Sequence, residues 1–302
     1  MATSRIPDDF LRGPSQGATV HCIDFTKASR TTPAIPAFKD HFAAVIDNFM
    51  TETECTELLN IAENSTIADQ TNAPVWEHAM INIGGGKQAM SVDSRKSGRI
   101  ILDSPDIAQR ILDRLRPFMR DFNLDKIKNQ PLITGLGPAR RGETFHLSTL
   151  NERLRFLRYE GGDYFRPHWD GCYVTPDGKE KSLLTIQLYL NGDGEQDLNK
   201  LLPEIERAEK RNALFVQDGE VDLCVAGEQS DSPADLLSQK LLGGATSFTD
   251  DYRAQKVVRV FPKTGSLLIF QQRNLMHSGD DVFRGVKYTV RSDVMYTSDS
   301  HN

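Results

Sequence analysis

From Leu154 onward the chain consists of short strand-like segments separated by Gly, Pro and Asp turns. Their β-branched and aromatic residues suit a pleated sheet. The segments are LRFLRY, GDYFRPHWD, LLTIQLYLN, ATSFTD, VVRVF, SLLIF and KYTVRSDVMYT. Many short strands with such turns favour a sandwich or a barrel over a parallel α/β sheet. The sequence therefore predicts a mainly β core over about residues 154–297.

Two helices precede this core. Thr51 and Glu54 form a capping-box pattern before an apolar helical face, and Ser104 can cap a second helix with Pro105 in its first turn. Residues 1–38 lack periodicity and predict an irregular arm, so 39–302 is expected to form a single domain.

The strand pattern is interrupted by a long acidic and helical insert over about 192–242. Inserts of this length are either functional lids or tolerated surface excursions, and both remain open. A second turn-rich stretch, Gly84–Gly86 with the following SVDSRKSGR, is either a mobile loop over a site or a plain connector.

Charge and hydropathy limit the classes of partner. The formal net charge is -6 and the isoelectric point is about 5.7, which argues against a nucleic-acid-binding surface. The N-terminus lacks the apolar core of a signal peptide, and no apolar run is long enough to cross a bilayer. We therefore expect a cytoplasmic protein without a membrane partner, and the sequence leaves its oligomeric state open.

The tripeptide His168-Trp169-Asp170 and the later His277 are candidate metal ligands. Alternation in an extended segment places residues i and i+2 on one side, so His168 and Asp170 can reach one ion. Two histidines and one carboxylate on one face of an octahedral metal are typical of non-haem Fe(II) oxygenases. An isolated HxD arises by chance about half of the time in a chain of this composition, so the surroundings must support the assignment.

The surroundings resemble the Fe(II)/2-oxoglutarate dioxygenases of the prolyl 4-hydroxylase-like group. The matching strings are RYEGGDYFRPHWD, TIQLYLN, GGATSF, FPKTGSLLIF and HSGDDVFRGVKY, in the order and spacing of that family. The resemblance covers roughly residues 154–297 and, more weakly, the helices from residue 42. It implies a double-stranded β-helix core of the jelly-roll or cupin type, with the N-terminal helices packed on it.

The resemblance also implies a set of functional residues. His168, Asp170 and His277 would bind Fe(II), the site of reaction with O2. Lys287 would pair with the distal carboxylate of the cosubstrate 2-oxoglutarate, since a buried dianion needs a counter-charge. Tyr159 and Thr185 match further positions that contact this carboxylate, although Thr185 could equally be an ordinary strand residue.

Strand parity in KYTVRSDVMY places Lys287, Thr289, Arg291 and Asp293 on one face. A polar face on a central strand should line the cavity. Arg291 is then a candidate anion contact, for the cosubstrate or for a carboxylate of the substrate, and Asp293 could neutralise Arg291 or bind an amine. The family resemblance adds Phe165 as a substrate-side position, because Phe165 and Asp293 replace the Tyr and Trp found in some prolyl hydroxylases.

These departures favour oxidation of a small molecule, such as an amino acid or a secondary metabolite, with release of succinate and CO2. Hydroxylation, desaturation and cyclisation all remain possible outcomes. A peptidyl prolyl hydroxylase is the enzymatic alternative. A non-catalytic binding or sensor domain on the same fold is the alternative of another class, because fold does not dictate function.

Overall fold

The computed structural model describes residues 6–28, 33–67, 74–82, 87–217, 239–252 and 256–299. The strands in chain order are β1 Thr19–Cys22, β2 Ala43–Asp47, β3 Glu77–His78, β4 Ile81–Asn82, β5 Gln88–Ala89, β6 Arg95–Lys96, β7 Gly98–Asp103, β8 Lys126–Lys128, β9 Thr144–Leu150, β10 Arg153–Tyr159, β11 Tyr164–His168, β12 Glu180–Tyr189, β13 Leu242–Gly243, β14 Thr246–Thr249, β15 Val257–Val260, β16 Leu267–Gln271, β17 His277–Gly279, β18 Val282–Arg284 and β19 Lys287–Ser298. The helices are α1 Glu52–Asn64, α2 Pro105–Asp121, α3 Pro131–Thr134, α4 Leu136–Arg141 and α5 Leu198–Gln217, with a short 3-10 turn at Pro36–Phe38.

Two antiparallel sheets form the core. The major sheet has the strand order β1-β2-β16-β12-β19-β10-β7-β3, with β9 also paired to β19 and β8 paired to β9. The minor sheet has the order β15-β14-β17-β11-β6. The sheets face each other, because Phe248 of β14 packs edge-on against Phe270 of β16 and the Tyr189 hydroxyl donates to Thr246. The predicted mainly β fold with a double-stranded β-helix core is confirmed.

Helices α1 and α2 cover the outer face of the major sheet. Their apolar residues share one buried cluster with outward-facing residues of the strands, including Leu58, Ile111, Leu115, Phe156, Ile186 and Val290. Both predicted caps are present. The Thr51 hydroxyl accepts from the Glu54 backbone while the Glu54 carboxylate accepts from the Thr51 backbone, and Ser104 caps α2. This packing leaves the inner face of the sheet for the site.

The N-terminal arm departs from the irregular segment that the sequence predicts. Residues Thr19–Cys22 form β1 and pair with Ala44 to Asp47 of β2 at the sheet edge. Arg110 of α2 donates to the carbonyls of Pro7 and Phe10 at 2.8 Å, and Phe10 is buried in the main cluster. Periodicity could not reveal this, because a four-residue edge strand and single anchoring residues leave no repeating pattern.

The insert is helical in its first part. Helix α5 follows Gln196, whose side-chain amide donates to the Gly243 carbonyl and accepts from the Gly243 backbone. Glu204 of α5 lies 3.7 Å from Arg284 of β18. Residues 218–238 of the insert lie outside the described residues, so both alternatives, a lid and a surface excursion, stay open.

The SVDSRKSGR stretch contributes regular structure next to the site. Its residues Arg95–Lys96 form β6, which pairs with β11 at the edge of the minor sheet. Gly98 and Arg99 begin β7 of the major sheet. The preceding Gly84–Gly86 lies outside the described residues.

In the part of the chain that the structure describes, no helix combines the length and apolar character needed to span a membrane.

Candidate active site

The register of the minor sheet brings the two candidate histidines together. His168 ends β11, His277 begins β17, and the two are direct partners across this antiparallel pair. Their ring centroids lie 4.4 Å apart. Residues more than a hundred positions apart in sequence therefore point at the same space between the sheets.

Backbone carbonyls orient both imidazoles. The Nδ1 of His168 lies 2.8 Å from the Arg166 carbonyl, and the Nδ1 of His277 lies 3.2 Å from the Leu275 carbonyl. Because a carbonyl only accepts, each Nδ1 carries the proton and each Nε2 is left free to bind a metal. Burial lowers the pKa of His168 to about 3 and also lowers that of His277, so both rings are neutral, as metal ligands must be.

Asp170 completes the group just beyond β11. Its Oδ2 lies 3.6 Å from Nε2 of His277 and accepts a hydrogen bond from the Thr185 hydroxyl at 2.6 Å. Its Oδ1 lies 2.7 Å from Nη2 of Arg291. Burial alone would raise the pKa of Asp170, but the charge of the adjacent Arg291 and the hydrogen bond from Thr185 lower it and keep the carboxyl ionised.

The donor atoms of His168, Asp170 and His277 lie within 4.8 Å of one another. Two neutral imidazoles and one carboxylate are the ligand set of a non-haem Fe(II) site with open positions. The ring of Phe270 lies 4.7 Å from that of His277 and supplies an apolar wall. These residues therefore fit an Fe(II) ion.

Lys287 lies at the other end of the same cavity face, at the start of β19. It is 1% exposed, and its Nζ lies 5.1 Å from the ring centre of Tyr159 and 5.8 Å from that of Tyr189. Burial lowers the pKa of Lys287 to about 8, and the more distant Asp280 partly opposes this shift. Among the described residues no carboxylate lies within ion-pair distance of this amine, which suits a site for an anionic ligand.

Thr289 lies one alternation along β19 from Lys287. Its hydroxyl is buried and has no hydrogen-bond partner. A buried hydroxyl without a partner is costly unless a ligand satisfies it. The ammonium of Lys287 and this free hydroxyl together fit a carboxylate of 2-oxoglutarate.

The structure places Thr185 away from Lys287, contrary to the assignment that the family resemblance implies. Thr185 pairs with Asp293 across the β12-β19 ladder. Asp293 lies six residues after Lys287 on β19, which corresponds to about 20 Å along the strand. Its hydroxyl donates to Asp170 instead. Tyr189 of the same strand is the residue that reaches the lysine, and alternation on β12 predicts that it shares a face with Thr185.

The parity prediction for β19 is confirmed. Thr289, Arg291 and Asp293 face the inner side, while Val290 and Val294 lie in the outer cluster. Asp293 neutralises Arg291 at 3.2 Å, one of the two options that the sequence leaves open.

Asp293 is the centre of a buried ionic network. Its Oδ2 lies 3.2 Å from Nη1 of Arg155, and its Oδ1 accepts from the side-chain amide of Gln272 at 3.1 Å. The sequence analysis did not identify Arg155 as a site residue. Alternation along β10 nevertheless predicts that Arg155 lies on the same face as Tyr159. Arg291 is thus held between Asp170 and Asp293 and does not project as a free anion contact.

Phe165 lies directly against a metal ligand. Its ring stacks on His168 with a centroid distance of 3.6 Å and an interplanar angle of 22°. The guanidinium of Arg95 lies 4.5 Å from the centre of the same ring. Phe165 therefore connects the triad to Arg95 of β6.

Comparisons with known proteins agree with this chemistry. The family description "2OG-Fe(II) oxygenase superfamily" matches residues 154–292, which contain the triad and Lys287. A search of curated proteins finds no significant match.

The solved structures similar to this chain include prolyl hydroxylases, at low sequence identity and with TM-scores below 0.5. A viral collagen prolyl hydroxylase from Paramecium Bursaria Chlorella virus-1, in its 2OG complex, is 17% identical over 84% of this chain and 96% of that chain, with a TM-score of 0.39. A Pseudomonas putida prolyl-4-hydroxylase is 13% identical over 86% of this chain and 95% of that chain, with a TM-score of 0.41.

A Trichoplax adhaerens prolyl hydroxylase, in complex with a peptide fragment of the hypoxia inducible factor oxygen degradation domain, is 13% identical over 88% of this chain and 87% of that chain, with a TM-score of 0.44. The family match and the triad carry the assignment. Residues 154–292 match the 2OG-Fe(II) oxygenase superfamily, and with the triad of His168, Asp170 and His277 they make this protein a 2-oxoglutarate-dependent dioxygenase that uses Fe(II), 2-oxoglutarate and O2.

Proposed function

We propose that this dioxygenase oxidises, most simply by hydroxylation, an unactivated C–H bond of a small molecule such as an amino acid or a secondary metabolite. The reaction would release succinate and CO2. The observation that supports a small substrate is the charged character of the face beside the triad, where Arg155, Arg291 and Asp293 form a buried ionic network.

Charged groups held in a site of low dielectric select for ligands that carry matching charges. An amino acid or a similar metabolite brings such charges within a few atoms of the reacting carbon. The backbone of a peptide offers only neutral amides at the same positions. A peptidyl prolyl substrate, the alternative, would bring no matching charge to Arg155, which shares the Asp293 carboxylate with Arg291.

Within this proposal, His168, Asp170 and His277 hold the iron and leave open positions on it. Bound Fe(II) with 2-oxoglutarate and O2 supplies the oxidising power for C–H cleavage. Lys287 and the Thr289 hydroxyl bind the distal carboxylate, and the rings of Tyr159 and Tyr189 flank the ammonium. These contacts fix the cosubstrate relative to the metal before the substrate reacts.

The chain's other contributions are positioning and exclusion of water. The carbonyls behind the two histidines fix the ring orientation, and Arg291 with Thr185 fixes the Asp170 carboxylate. The aromatic wall around His277, which includes Phe248 and Phe270, keeps bulk water from that side. A dry, pre-oriented site favours reaction at the substrate over unproductive side reactions.

The test is a comparison of substrates by succinate release. Purified protein with Fe(II), 2-oxoglutarate and O2 is supplied in turn with free amino acids, other small metabolites and proline-rich peptides. We expect a small molecule to stimulate succinate release above the substrate-free rate, with a product that has gained one oxygen atom. Stimulation by peptides alone would establish the prolyl alternative instead.

The matched control is a pair of aspartate variants. Asp170→Ala removes a metal ligand and should abolish release with every substrate. Asp177→Ala changes a carboxylate whose hydrogen bonds are to its own loop, and should leave release unchanged. Metal-independent release that survives in Asp170→Ala would contradict the assigned site.

A further inference from the structure

Three arginines from adjacent strands line the substrate side of the triad. In the major sheet, Arg155 of β10 lies opposite Arg291 of β19 in the strand register on one side and opposite Ile101 of β7 on the other. Arg99 lies two residues before Ile101, so it is a diagonal neighbour of Arg155 on the same face, within reach of a long side chain. Arg95 of β6 approaches from the edge of the minor sheet.

Arg99 is buried and incompletely paired. Its side chain is 7% exposed, and its Nε has no hydrogen-bond partner. Nη1 donates to the Gln88 side chain at 3.2 Å, while the nearest carboxylate, on the exposed Glu77, is 3.8 Å from Nη2. A buried guanidinium N–H without an acceptor is costly to keep, which points to an acceptor that arrives with a ligand.

Arg95 is available to the same ligand. Its Nε donates to the Ser97 hydroxyl at 3.2 Å, and its guanidinium lies against the ring of Phe165. Within the described ranges no carboxylate lies at ion-pair distance from it. Burial and the nearby positive charge of Arg95 lower the pKa of Arg99.

The local charges do not balance. Arg155 and Arg291 share Asp293, Arg99 has the exposed Glu77 at 3.8 Å, and Arg95 has no carboxylate at ion-pair distance within the described ranges. The positive charge of this group is therefore incompletely compensated, which favours an anionic ligand such as a carboxylate. Guanidinium groups also match the planar pair of carboxylate oxygens in geometry.

We infer that Arg95, Arg99 and Arg155 form a subsite for a carboxylate group of the substrate. This inference rests on the proposed small-molecule function and names the class of substrate, a carboxylic acid. The substrate's acid group binds among the three arginines, and Phe165 lies between this group and His168. An acid held at this point orients the rest of the molecule, so that one C–H bond faces the metal.

The experiment measures binding without turnover. The protein is loaded with Mn(II) in place of Fe(II) and saturated with 2-oxoglutarate, which fills the Lys287 pocket. Free L-amino acids and their carboxamides are then titrated by calorimetry as matched pairs. We expect at least one acid to bind about tenfold or more tightly than its amide, because charge-assisted hydrogen bonds to arginine exceed neutral ones by that much.

Variants locate the binding. Arg99→Gln and Arg95→Gln should each weaken binding of the acid by about tenfold or more and leave binding of the amide almost unchanged. Arg158→Gln is the matched control, since Arg158 lies on the same strand as Arg155 but on its other face, where it pairs with Glu160. Arg99→Lys, which retains the charge, controls for folding and should recover part of the affinity.

Each contrary result has a distinct meaning. Equal affinity for acids and amides across the panel, or an equal loss in Arg158→Gln and Arg99→Gln, would overturn the carboxylate subsite. So would acid binding that disappears in Lys287→Met but survives in the two glutamine variants. Failure of the Mn(II)-loaded wild type to bind 2-oxoglutarate at all would instead overturn the assigned cosubstrate site and the function built on it.

Discussion

The guanidinium of Arg291 lies 2.7 Å from Oδ1 of Asp170, so one oxygen of this candidate metal ligand is ion-paired within the protein. The other oxygen, Oδ2, faces His277 and accepts from Thr185. The two carboxylate oxygens of Asp170 therefore have different partners. Arg291 holds the group so that Oδ2 is the atom offered to the metal, and it supplies the counter-charge that keeps a buried carboxylate ionised.

Replacing Arg291 by Gln should destabilise the metal-free protein but increase its response to metal. Breaking a buried ion pair by removing one partner costs about 3–5 kcal/mol. A divalent ion restores the missing positive charge at Asp170. Calorimetric scans with and without Mn(II) should therefore show a lower Tm without metal and a larger rise in Tm with metal than in the wild type.

Arg155→Gln is the control for this effect. Arg155 contacts Asp293 but not Asp170, so its loss should lower Tm slightly and leave the metal-dependent rise as in the wild type. An Arg291→Gln protein with an unchanged or smaller metal response would show that Asp170 does not depend on this ion pair.

The affinity for 2-oxoglutarate should fall above about pH 8. Burial lowers the pKa of Lys287 from 10.5 to about 8, so the amine loses its charge as the pH rises through that value. Binding a dianion requires the charged form, and affinity should then fall by up to about tenfold per pH unit. Titration of the Mn(II)-loaded protein between pH 7 and 10 measures this slope; Lys287→Arg, which stays charged, should give a flat profile.

The same shift affects stability in the absence of cosubstrate. Between pH about 8 and 10.5 the unfolded chain binds a proton at Lys287 that the folded protein has lost, so the free energy of unfolding rises with pH in this window. Lys287→Met should remove the rise. It should also stabilise the protein at pH 7, where the buried charge is unfavourable, while it abolishes cosubstrate binding.

Sequence patterns identify which face a residue is on but not where it lies along the neighbouring strand. Alternation on β19 correctly groups Lys287 with Thr289, Arg291 and Asp293. It carries no information about the ladder to β12, which sets Thr185 beside Asp293 and Tyr189 near Lys287. That register depends on turns and long-range pairing, so the sequence could not show how far Thr185 lies from Lys287.

Local sequence motifs predicted structure correctly where the interacting groups are only a few residues apart. The Thr51 and Ser104 caps were predictable because the capping groups are adjacent in sequence. The ion pair of Arg291 with Asp170 was not, because it joins β19 of the major sheet to the segment that follows β11 of the minor sheet. The same holds for the buried Arg99, whose burial results from the contacts of β7 with β10 and β3.

Thr289→Val should have opposite effects on stability and on cosubstrate binding. The buried hydroxyl has no partner in the protein, so removing it relieves a desolvation penalty of about 1–3 kcal/mol. The metal-free protein should become more stable in denaturant titrations, and 2-oxoglutarate should bind more weakly. Thr246→Val is the contrasting control, because the Thr246 hydroxyl bonds to Tyr189 and Gln187 and its loss should destabilise the protein. Equal destabilisation in both variants would mean that Thr289 has a partner after all.

Phe165→Leu should weaken metal binding although Phe165 carries no ligand atom. Its ring stacks on His168 at 3.6 Å and, with the carbonyl of Arg166, fixes the plane of the imidazole. Loss of such supporting contacts around a metal ligand costs about 10–100-fold in affinity. Phe165→Tyr keeps the ring and should retain the wild-type affinity, with any change confined to substrate preference. Mn(II) titrations followed by electron paramagnetic resonance measure both variants. Equal affinities in the leucine and tyrosine variants would show that hydrogen bonding alone orients His168.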